Sequence, residues 1–219
     1  MMKPPTDRDQ GLIHVDTAGV TLEGNLLIPD NATGVVLFAH GSGSSRFSSR
    51  NRYVAEALRE GGLATLLIDL LTRDEELVDT RTAHLRFDID LLARRLVGTS
   101  EWLHGGHPAL KIGLFGASTG AGAALVAAAR KPELIAAVVS RGGRPDLAGD
   151  ALPKVKAPTL LIVGGDDTPV IRMNQDAYAQ MTCQRQIEIV PGASHLFEEP
   201  GTLEEVARLA RAWFRRYLA

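Results

Sequence analysis

A serine in the sequence context of an enzymatic nucleophile occurs at Ser118, in the segment GASTG (residues 116–120). In a Gly-x-Ser-x-Gly turn between a strand and a helix, the serine takes strained backbone angles that project its hydroxyl, and the flanking glycines avoid collisions with neighbouring backbone. The small residues of segment 121–129 would let the following helix approach the sheet closely. The pattern predicts that Ser118 is a nucleophile. An inert serine in a glycine-rich turn is the alternative.

Two other functions of glycine-rich turns fit this chain less well. A phosphate-binding loop requires Gly-x-x-x-x-Gly-Lys followed by Ser or Thr, and no such lysine occurs in this segment. A dinucleotide-binding turn requires a third small residue, but Leu125 stands at that place after Gly120 and Gly122. The segment GSGSSR (residues 41–46) fails in the same way at Arg46.

The base that would activate this serine is His195. A serine hydroxyl is a poor nucleophile unless a base takes its proton, and the turn motif predicts the chain order serine, acid, histidine. Among the six histidines, His195 both comes after Ser118 and follows the last apolar run, whereas His40 follows a strand but precedes the serine. His104 and His107 offer too few ligands for a metal site, so no metal is predicted.

A carboxylate must orient this histidine, and several aspartates lie between Ser118 and His195. Asp166 and Asp167 both follow the apolar run PTLLIVGG. We favour Asp167, which lies deeper in the loop, with Asp166 as the alternative and with Asp146 and Asp150 as more distant ones. A carboxylate at the imidazole Nδ1 fixes the tautomer and stabilises the imidazolium that forms when the serine gives up its proton.

Two backbone N–H groups are candidates for an oxyanion hole, which would hold the negative oxygen of a tetrahedral intermediate. The N–H of Thr119 is expected at the positive end of the following helix. The second donor is predicted at Ser42, in the segment HGSG (residues 40–43) after the run GVVLFA. A plain turn is the alternative for that segment.

Two arginines at the same end of the predicted sheet could determine which substrate binds. Arg141 and Arg144 come at the end of the run IAAVVS, and either could bind a substrate carboxylate. An ion pair with Asp146, with Asp150 or with a neighbouring helix is the alternative, which we favour. Arg86 is expected to pair with Asp90, four residues on along a helix.

The elements that must position these residues are indicated by short apolar runs. The lead-in segments GLIHVDTAG and VTLEGNLLIP predict an antiparallel pair of strands. Most later runs are apolar throughout, as in strands covered on both faces, and helical stretches separate them. The predicted fold class is therefore α/β, with a mostly parallel, doubly wound sheet and helices on both faces. Ligands bind such sheets beyond the carboxyl ends of the strands. The later runs are GVVLFAHG, LATLLIDL, LKIGLFG, IAAVVSRGG, PTLLIVGG and RQIEIVPG.

Helices are indicated by apolar residues at helical spacing. One such stripe runs from Leu85 to Leu96, and another occupies the last 17 residues or so of the chain. The last helix is expected to begin with a capping box formed by Thr202 and Glu205.

Composition places the chain among ordinary globular proteins. Its 219 residues are 45% hydrophobic and 23% charged with a net charge of −2, which predicts one domain and gives no electrostatic reason to expect nucleic acid or a membrane. Residues 1–10 are expected to be a flexible tail without a signal sequence. The single cysteine, Cys183, fits a reducing compartment, so the cytoplasm is the predicted location. The sequence is also compatible with a homodimer.

The chain resembles the dienelactone-hydrolase-like group of the α/β-hydrolases over nearly its whole length. The resemblance is carried by FAHGSGSS, GLFGASTGAGAAL, PTLLIVGGDDTPV and PGASHLFEEPGTLEEVA. It implies a nucleophile at Ser118, an acid at Asp167, a base at His195 and oxyanion donors at Ser42 and Thr119, with no cofactor.

Two departures from the family limit what the resemblance implies about substrate. Dienelactone hydrolases proper use a cysteine nucleophile, whereas this turn contains Ser118. The connection RGGRPDLAGDALPKVKA is too short for a cap domain, so an open site is expected. Together these features predict a serine esterase that cleaves small or soluble carboxylic esters, thioesters or lactones through an acyl-enzyme. An acyltransferase, a perhydrolase and a catalytically silent binding protein are the alternatives.

Overall fold

The computed structural model describes residues 11–219 and contains one eight-stranded sheet, in the order β1-β2-β4-β3-β5-β6-β7-β8. The tail predicted for residues 1–10 lies outside the described residues. The strands are β1 Leu12–Thr17, β2 Val20–Leu27, β3 Gly34–Ala39, β4 Ala64–Ile68, β5 Lys111–Ala117, β6 Ile135–Arg141, β7 Thr159–Gly164 and β8 Arg185–Val190. The helices are α1 Ser49–Glu60, α2 Arg73–Thr82, α3 Ile89–Gly106, α4 Thr119–Arg130, α5 Thr168–Gln180 and α6 Thr202–Leu218, with 3₁₀ segments at Leu85–Phe87 and Pro145–Lys154.

The sheet is antiparallel at one edge and parallel elsewhere, as the sequence predicts. Strand β2 pairs antiparallel with both β1 and β4, and β4, β3, β5, β6, β7 and β8 pair parallel in succession. The carboxyl ends of β3, β5, β6, β7 and β8 therefore lie along one edge. Between β6 and β7 the Pro145–Lys154 segment forms only short turns, and residues 11–219 contain no cap domain.

Helices cover both faces of the sheet because successive strand side chains point to opposite sides. In β3, Val35 and Leu37 pack into a core formed with α3 and α4, whereas Val36 and Phe38 pack into a second core formed with α1 and α6. The sheet is thus buried on both faces, which explains why its strands are apolar throughout.

Two local predictions are wrong in the structure. Helix α6 does not begin with a capping box: its N-cap is Gly201, with φ 83°, and the Thr202 hydroxyl donates instead to the Glu199 carbonyl at 2.7 Å. The same Thr-x-x-Glu pattern forms a real capping box at Thr72 and Glu75, where α2 begins.

The expected Arg86–Asp90 pair is also absent, because Arg86 lies in the 3₁₀ turn before α3. There its Nε donates to the Asp79 carboxylate at 2.5 Å. Asp90 pairs instead with Arg94 and Arg130. Within residues 11–219, no helix combines the length and the apolar character needed to cross a membrane.

Candidate active site

Ser118 lies at the junction of β5 and α4 in a backbone conformation that L-residues rarely adopt. Its φ is 50° and its ψ is −121°. Such a conformation costs on the order of 1–3 kcal/mol and persists only where the surroundings enforce it. The sequence predicts this strained turn, which places the serine at the carboxyl edge of the sheet.

The two glycines of the turn are required by close backbone approach. A Cβ added at Gly116 would lie 2.4 Å from the Cα of Ala121, and one added at Gly120 would lie 2.3 Å from the carbonyl oxygen of Ala39. Both distances are far below van der Waals contact. The turn can therefore form at this position only because residues 116 and 120 have no side chain.

This crowding predicts a large stability loss for Gly120→Ala. Because the obstacle is a backbone oxygen that cannot rotate away, we expect the free energy of unfolding to fall by about 3 kcal/mol, the upper end for overpacking. Gly105→Ala is the control, since a Cβ there meets open space within α3 and should stabilise the helix by up to about 1 kcal/mol. Chemical denaturation of both variants measures the difference, and equal midpoints would contradict the assigned crowding.

His195 and Asp167 are brought together from two different loops. His195 follows β8 and Asp167 follows β7, and the His195 Nδ1 lies 2.6 Å from the Asp167 Oδ2. The Asp167 side chain is 13% exposed and that of His195 is 39% exposed, so the carboxylate is sheltered while the ring remains accessible. The alternative residue Asp166 instead donates its backbone N–H to the Ala193 carbonyl.

The loop that carries His195 is held by Glu199. The Glu199 carboxylate accepts a hydrogen bond from the Ser194 backbone N–H at 2.9 Å. Hydrogen bonds from Ser194 hold the pKa of Glu199 below its usual value, so the group that fixes this loop is a carboxylate anion at neutral pH.

Ser118 and His195 are connected through the backbone at the end of β6. The Ser118 N–H donates to the Arg141 carbonyl at 3.3 Å, and the next residue is Gly142, with φ 50°. A Cβ at Gly142 would lie 3.6 Å from the His195 Cε1, so the imidazole packs against this glycine. No hydrogen bond between Ser118 Oγ and His195 Nε2 occurs in the described structure. Such bonds are often long before substrate binds.

His40, the other histidine at this edge, is buried and bonded to the backbone. It is 8% exposed, its Nε2 accepts the Leu70 N–H at 3.1 Å, and its Nδ1 lies 3.0 Å from the Gly41 carbonyl. These partners require the neutral tautomer with the proton on Nδ1. Burial lowers the pKa of His40, which fits this neutral form. His40 therefore ties the loop after β3 to the end of β4.

The lowered pKa of His40 predicts a pH dependence of stability. In the unfolded chain the His40 imidazole binds a proton near pH 6.5, whereas in the folded protein it does so only at lower pH. The free energy of unfolding should therefore fall as the pH drops below about 6.5, by up to about 1.4 kcal/mol per pH unit. His40→Gln keeps an acceptor for Leu70 and removes the titration. Denaturation between pH 5 and 8 should show a shallower slope for the variant, and parallel curves would contradict the assignment.

The two predicted oxyanion residues contact each other. The Ser42 backbone N–H donates to the Thr119 Oγ1 at 2.9 Å, and a Cβ at Gly41 would lie 3.2 Å from the Ser118 Cβ. The loop is also fixed at Arg46, whose backbone N–H donates to the Asp69 carboxylate at 2.6 Å. The loop after β3 thus lies directly beside the nucleophile, with one of its N–H groups held by the threonine hydroxyl.

A cavity of about 490 Å³ opens beside this loop. One wall is the loop itself with Thr119, and the other is the segment that contains α2 and the following 3₁₀ turn, which contributes Glu76, Asp79 and Arg86. Burial, reinforced by nearby Asp69, raises the pKa of Glu76. Sequence reasoning missed this wall, although the Thr-x-x-Glu pattern at residues 72–75 marks the start of α2.

The two candidate arginines have different surroundings. Arg144 forms a two-pronged ion pair with Asp146, with N–O distances of 2.8 to 3.2 Å, which is the alternative that the sequence favoured. Arg141 is 7% exposed and its Nη2 donates to the Asn51 Oδ1 at 3.3 Å. Within residues 11–219, no cluster of three or more His, Cys, Asp or Glu side chains could hold a metal ion.

Comparison with known proteins places this chain in a family. The family model described as "Dienelactone hydrolase family" matches residues 22–217. A crystal structure of a dienelactone hydrolase from Anabaena variabilis ATCC 29413 is 65% identical, covers 95% of this chain and 97% of its own, and superimposes with a TM-score of 0.93. Est1E from Butyrivibrio proteoclasticus is 17% identical with a TM-score of 0.78, over 94% of this chain and 98% of its own, and shows the shared fold.

Two curated relatives come from Mycobacterium tuberculosis, strains CDC 1551 / Oshkosh and ATCC 25618 / H37Rv. Both are 56% identical over 216 residues and are provisionally named phosphoribosyl transferases. The match covers 98% of this chain but 48% of each relative, so the chain spans about half their length. With the matching family model and the 65% identical structure, the chain belongs to the dienelactone hydrolase family and has the α/β-hydrolase fold.

Proposed function

We propose that the chain hydrolyses a small or soluble carboxylic ester, thioester or lactone through an acyl-enzyme. Ser118 attacks the carbonyl carbon, His195 takes the serine proton and returns it to the leaving group, and Asp167 orients His195. The same histidine then activates water to release the acid. The observation that carries the proposal is the 2.6 Å contact between His195 and Asp167, at the sheet edge where Ser118 has a strained turn.

Stabilisation of the tetrahedral intermediate is assigned to the backbone N–H groups of Thr119 and Ser42. The first lies at the N-terminus of α4, where the helix dipole favours negative charge. The second is bonded to the Thr119 hydroxyl in the resting protein. The oxyanion would replace this hydroxyl as the acceptor, because an N–H donates more strongly to an anion than to a neutral oxygen.

The name of the mycobacterial relatives does not change this proposal. That name belongs to proteins about twice as long as this chain. The hydrolase family match covers residues 22–217, and the serine, histidine and carboxylate all fall inside it. We therefore propose ester hydrolysis, and not phosphoribosyl transfer, for the chain described here.

A series of 4-nitrophenyl esters from acetate to octanoate tests the proposal. We expect hydrolysis of the short esters, and the dependence of kcat/KM on acyl length reports which chains the 490 Å³ cavity accommodates. No hydrolysis of any member, together with no labelling by a fluorophosphonate, would contradict the serine mechanism. Labelling without turnover would favour a different substrate of the same nucleophile.

Two alternatives share the same residues and need their own measurements. In an acyltransferase or a perhydrolase, an alcohol, a thiol or hydrogen peroxide replaces water, so product analysis with these nucleophiles present separates them from a hydrolase. A binding protein without turnover would not react with the fluorophosphonate. A cytoplasmic location and a homodimer remain predictions, the first from the single Cys183.

A further inference from the structure

The 490 Å³ cavity beside the loop after β3 lies where the acyl part of an ester would extend. Ser42 and Thr119, whose N–H groups are assigned to the carbonyl oxygen, both line this cavity. His195, which would protonate the oxygen of the leaving group, does not line it. The alcohol is therefore expected to depart on the side of His195, while the acyl group occupies the cavity.

One wall of the cavity presents hydroxyl groups as hydrogen-bond donors. The side-chain oxygens of Ser45, Ser48 and Thr119 each accept a backbone N–H, at 3.2, 3.3 and 2.9 Å respectively. Each hydroxyl also has a proton to donate, and within residues 11–219 none of these three protons has an acceptor. This wall can therefore donate several hydrogen bonds to a ligand.

The opposite wall presents a carboxylate without a bonded partner. Glu76 of α2 lines the cavity, and among residues 11–219 its carboxylate forms neither a hydrogen bond nor an ion pair. Arg46 attracts this carboxylate electrostatically, but the Arg46 guanidinium is bound to Glu23 and Asp69. Glu76 is therefore available to accept hydrogen bonds from a ligand.

The remaining charged groups of the lining compensate each other. The Asp79 carboxylate accepts hydrogen bonds from the Nε and from the backbone N–H of Arg86, so this pair adds no net charge to the cavity. The lining thus combines several neutral donors with one anionic acceptor. A ligand hydroxyl can donate to a carboxylate and also accept from a serine or threonine, so a group with several hydroxyls satisfies both walls. An alkyl chain would desolvate Glu76 without a replacement bond, which is unfavourable.

We propose that the cavity binds a polyhydroxylated acyl group, so that the substrate is an ester of a sugar acid or of a similar hydroxylated acid. Glu76 is the specificity-determining residue, because it accepts hydrogen bonds from the ligand hydroxyls, and Ser45 donates to the same group from the opposite wall. The inference rests on the proposed esterase function for the ester bond, whereas binding of the hydroxylated group does not require turnover.

The kinetic test compares methyl shikimate with methyl cyclohex-1-ene-1-carboxylate, which lacks the ring hydroxyls and is otherwise the same. After each rate is divided by that compound's rate of alkaline hydrolysis, we expect kcat/KM to favour methyl shikimate by about 10-fold or more, the value of a hydrogen bond to a charged group. Glu76→Ala should lower this ratio toward one, and Ser45→Ala should lower it by a smaller factor. Asp74→Ala is the matched control, because it removes the same charge from the same helix outside the cavity, and it should keep the ratio.

A binding measurement separates this inference from the esterase proposal. In Ser118→Ala protein, titrations followed by saturation-transfer NMR should give a lower Kd for methyl shikimate than for the hydrocarbon ester, and adding Glu76→Ala should remove the difference. If neither ester is hydrolysed but this pattern holds, the assignment of the cavity stands and the esterase proposal fails. Equal rates and equal binding of the two esters, or a preference that Glu76→Ala leaves unchanged, would overturn the assignment.

A cationic acyl group is the other chemistry that a single carboxylate could select. Methyl 4-(trimethylammonio)butanoate and its uncharged isostere methyl 5,5-dimethylhexanoate measure that preference directly. We expect the ratio of their kcat/KM values to stay below the ratio for the methyl shikimate pair, because a quaternary ammonium cannot accept the hydroxyl donors of the loop after β3. A larger ratio for the cation, lost in Glu76→Ala, would overturn the hydroxylated class.

Discussion

Replacement of Ser118 by alanine should lower kcat for 4-nitrophenyl esters by about 10⁴- to 10⁶-fold, the range for loss of a serine nucleophile. The variant removes one hydroxyl and leaves the Cβ, so the crowded turn and its φ of 50° can persist. Without the hydroxyl no acyl-enzyme forms, and any residual rate comes from water activated in the remaining site. Steady-state kinetics with active-site titration by a fluorophosphonate measures both effects.

Two further variants make this result specific to the serine. Cys183→Ser should retain full activity. Cys183 lies after α5, where its sulfur contacts the Thr159 hydroxyl of β7, and burial raises the pKa of the thiol and so keeps it protonated. Ser118→Cys restores a nucleophilic atom at the turn. We expect this variant to form an acyl-enzyme again when it is given activated esters. Unchanged turnover in Ser118→Ala would remove this residue from the mechanism.

The sequence predicts those features of the candidate site that depend only on the order and direction of the strands. Ser118, Asp167 and His195 each come directly after an apolar run, and the carboxyl ends of parallel strands meet at one edge. No knowledge of side-chain packing is needed for that step. The place of Asp167 in the loop favours it over Asp166 as the acid, and in the structure Asp167 lies against His195.

Details that depend on long-range side-chain contacts could not be predicted in this way. The Thr-x-x-Glu pattern occurs at Thr72 and at Thr202, but it forms a capping box only at the first. At the second, Gly201 takes the N-cap with a positive φ, and Thr202 bonds backwards to Glu199. Local pattern allows both outcomes, and the path of the preceding chain selects between them.

The cavity wall that contains α2 could not be predicted from the sequence for the same reason. Helix α2 is rich in charged residues and buries only Asp79, so it lacks the apolar stripe that predicts α3 and α6. It is fixed by ion pairs instead: Glu75 binds the buried Arg95 at 2.5 Å, and Asp79 binds Arg86. Both partners lie in later segments of the chain, so neither pair has a spacing that identifies it in the sequence.

Replacement of Asp167 by asparagine is expected to lower kcat by about 10⁴-fold while leaving the fold intact. The amide has nearly the same shape as the carboxylate, but its NH₂ donates to Nδ1 and thereby moves the imidazole proton to Nε2. In that tautomer His195 cannot accept the Ser118 proton, and the charge that would stabilise the imidazolium is also missing. Rates measured beside a far-ultraviolet circular dichroism spectrum would show a chemical loss without a structural one.

Asp166→Asn is the matched control, since it makes the same chemical change one residue away in the same loop. Asp166 contributes its backbone N–H to the Ala193 carbonyl, and this bond survives the substitution, so the rate should change by less than a factor of about 3, within the range of neutral surface substitutions. Equal losses in the two variants would mean that the loop's charge, and not the Asp167–His195 hydrogen bond, supports the reaction. A large loss at Asp167 alone ties the orientation of the imidazole to this one carboxylate, and with it the direction of proton transfer from Ser118.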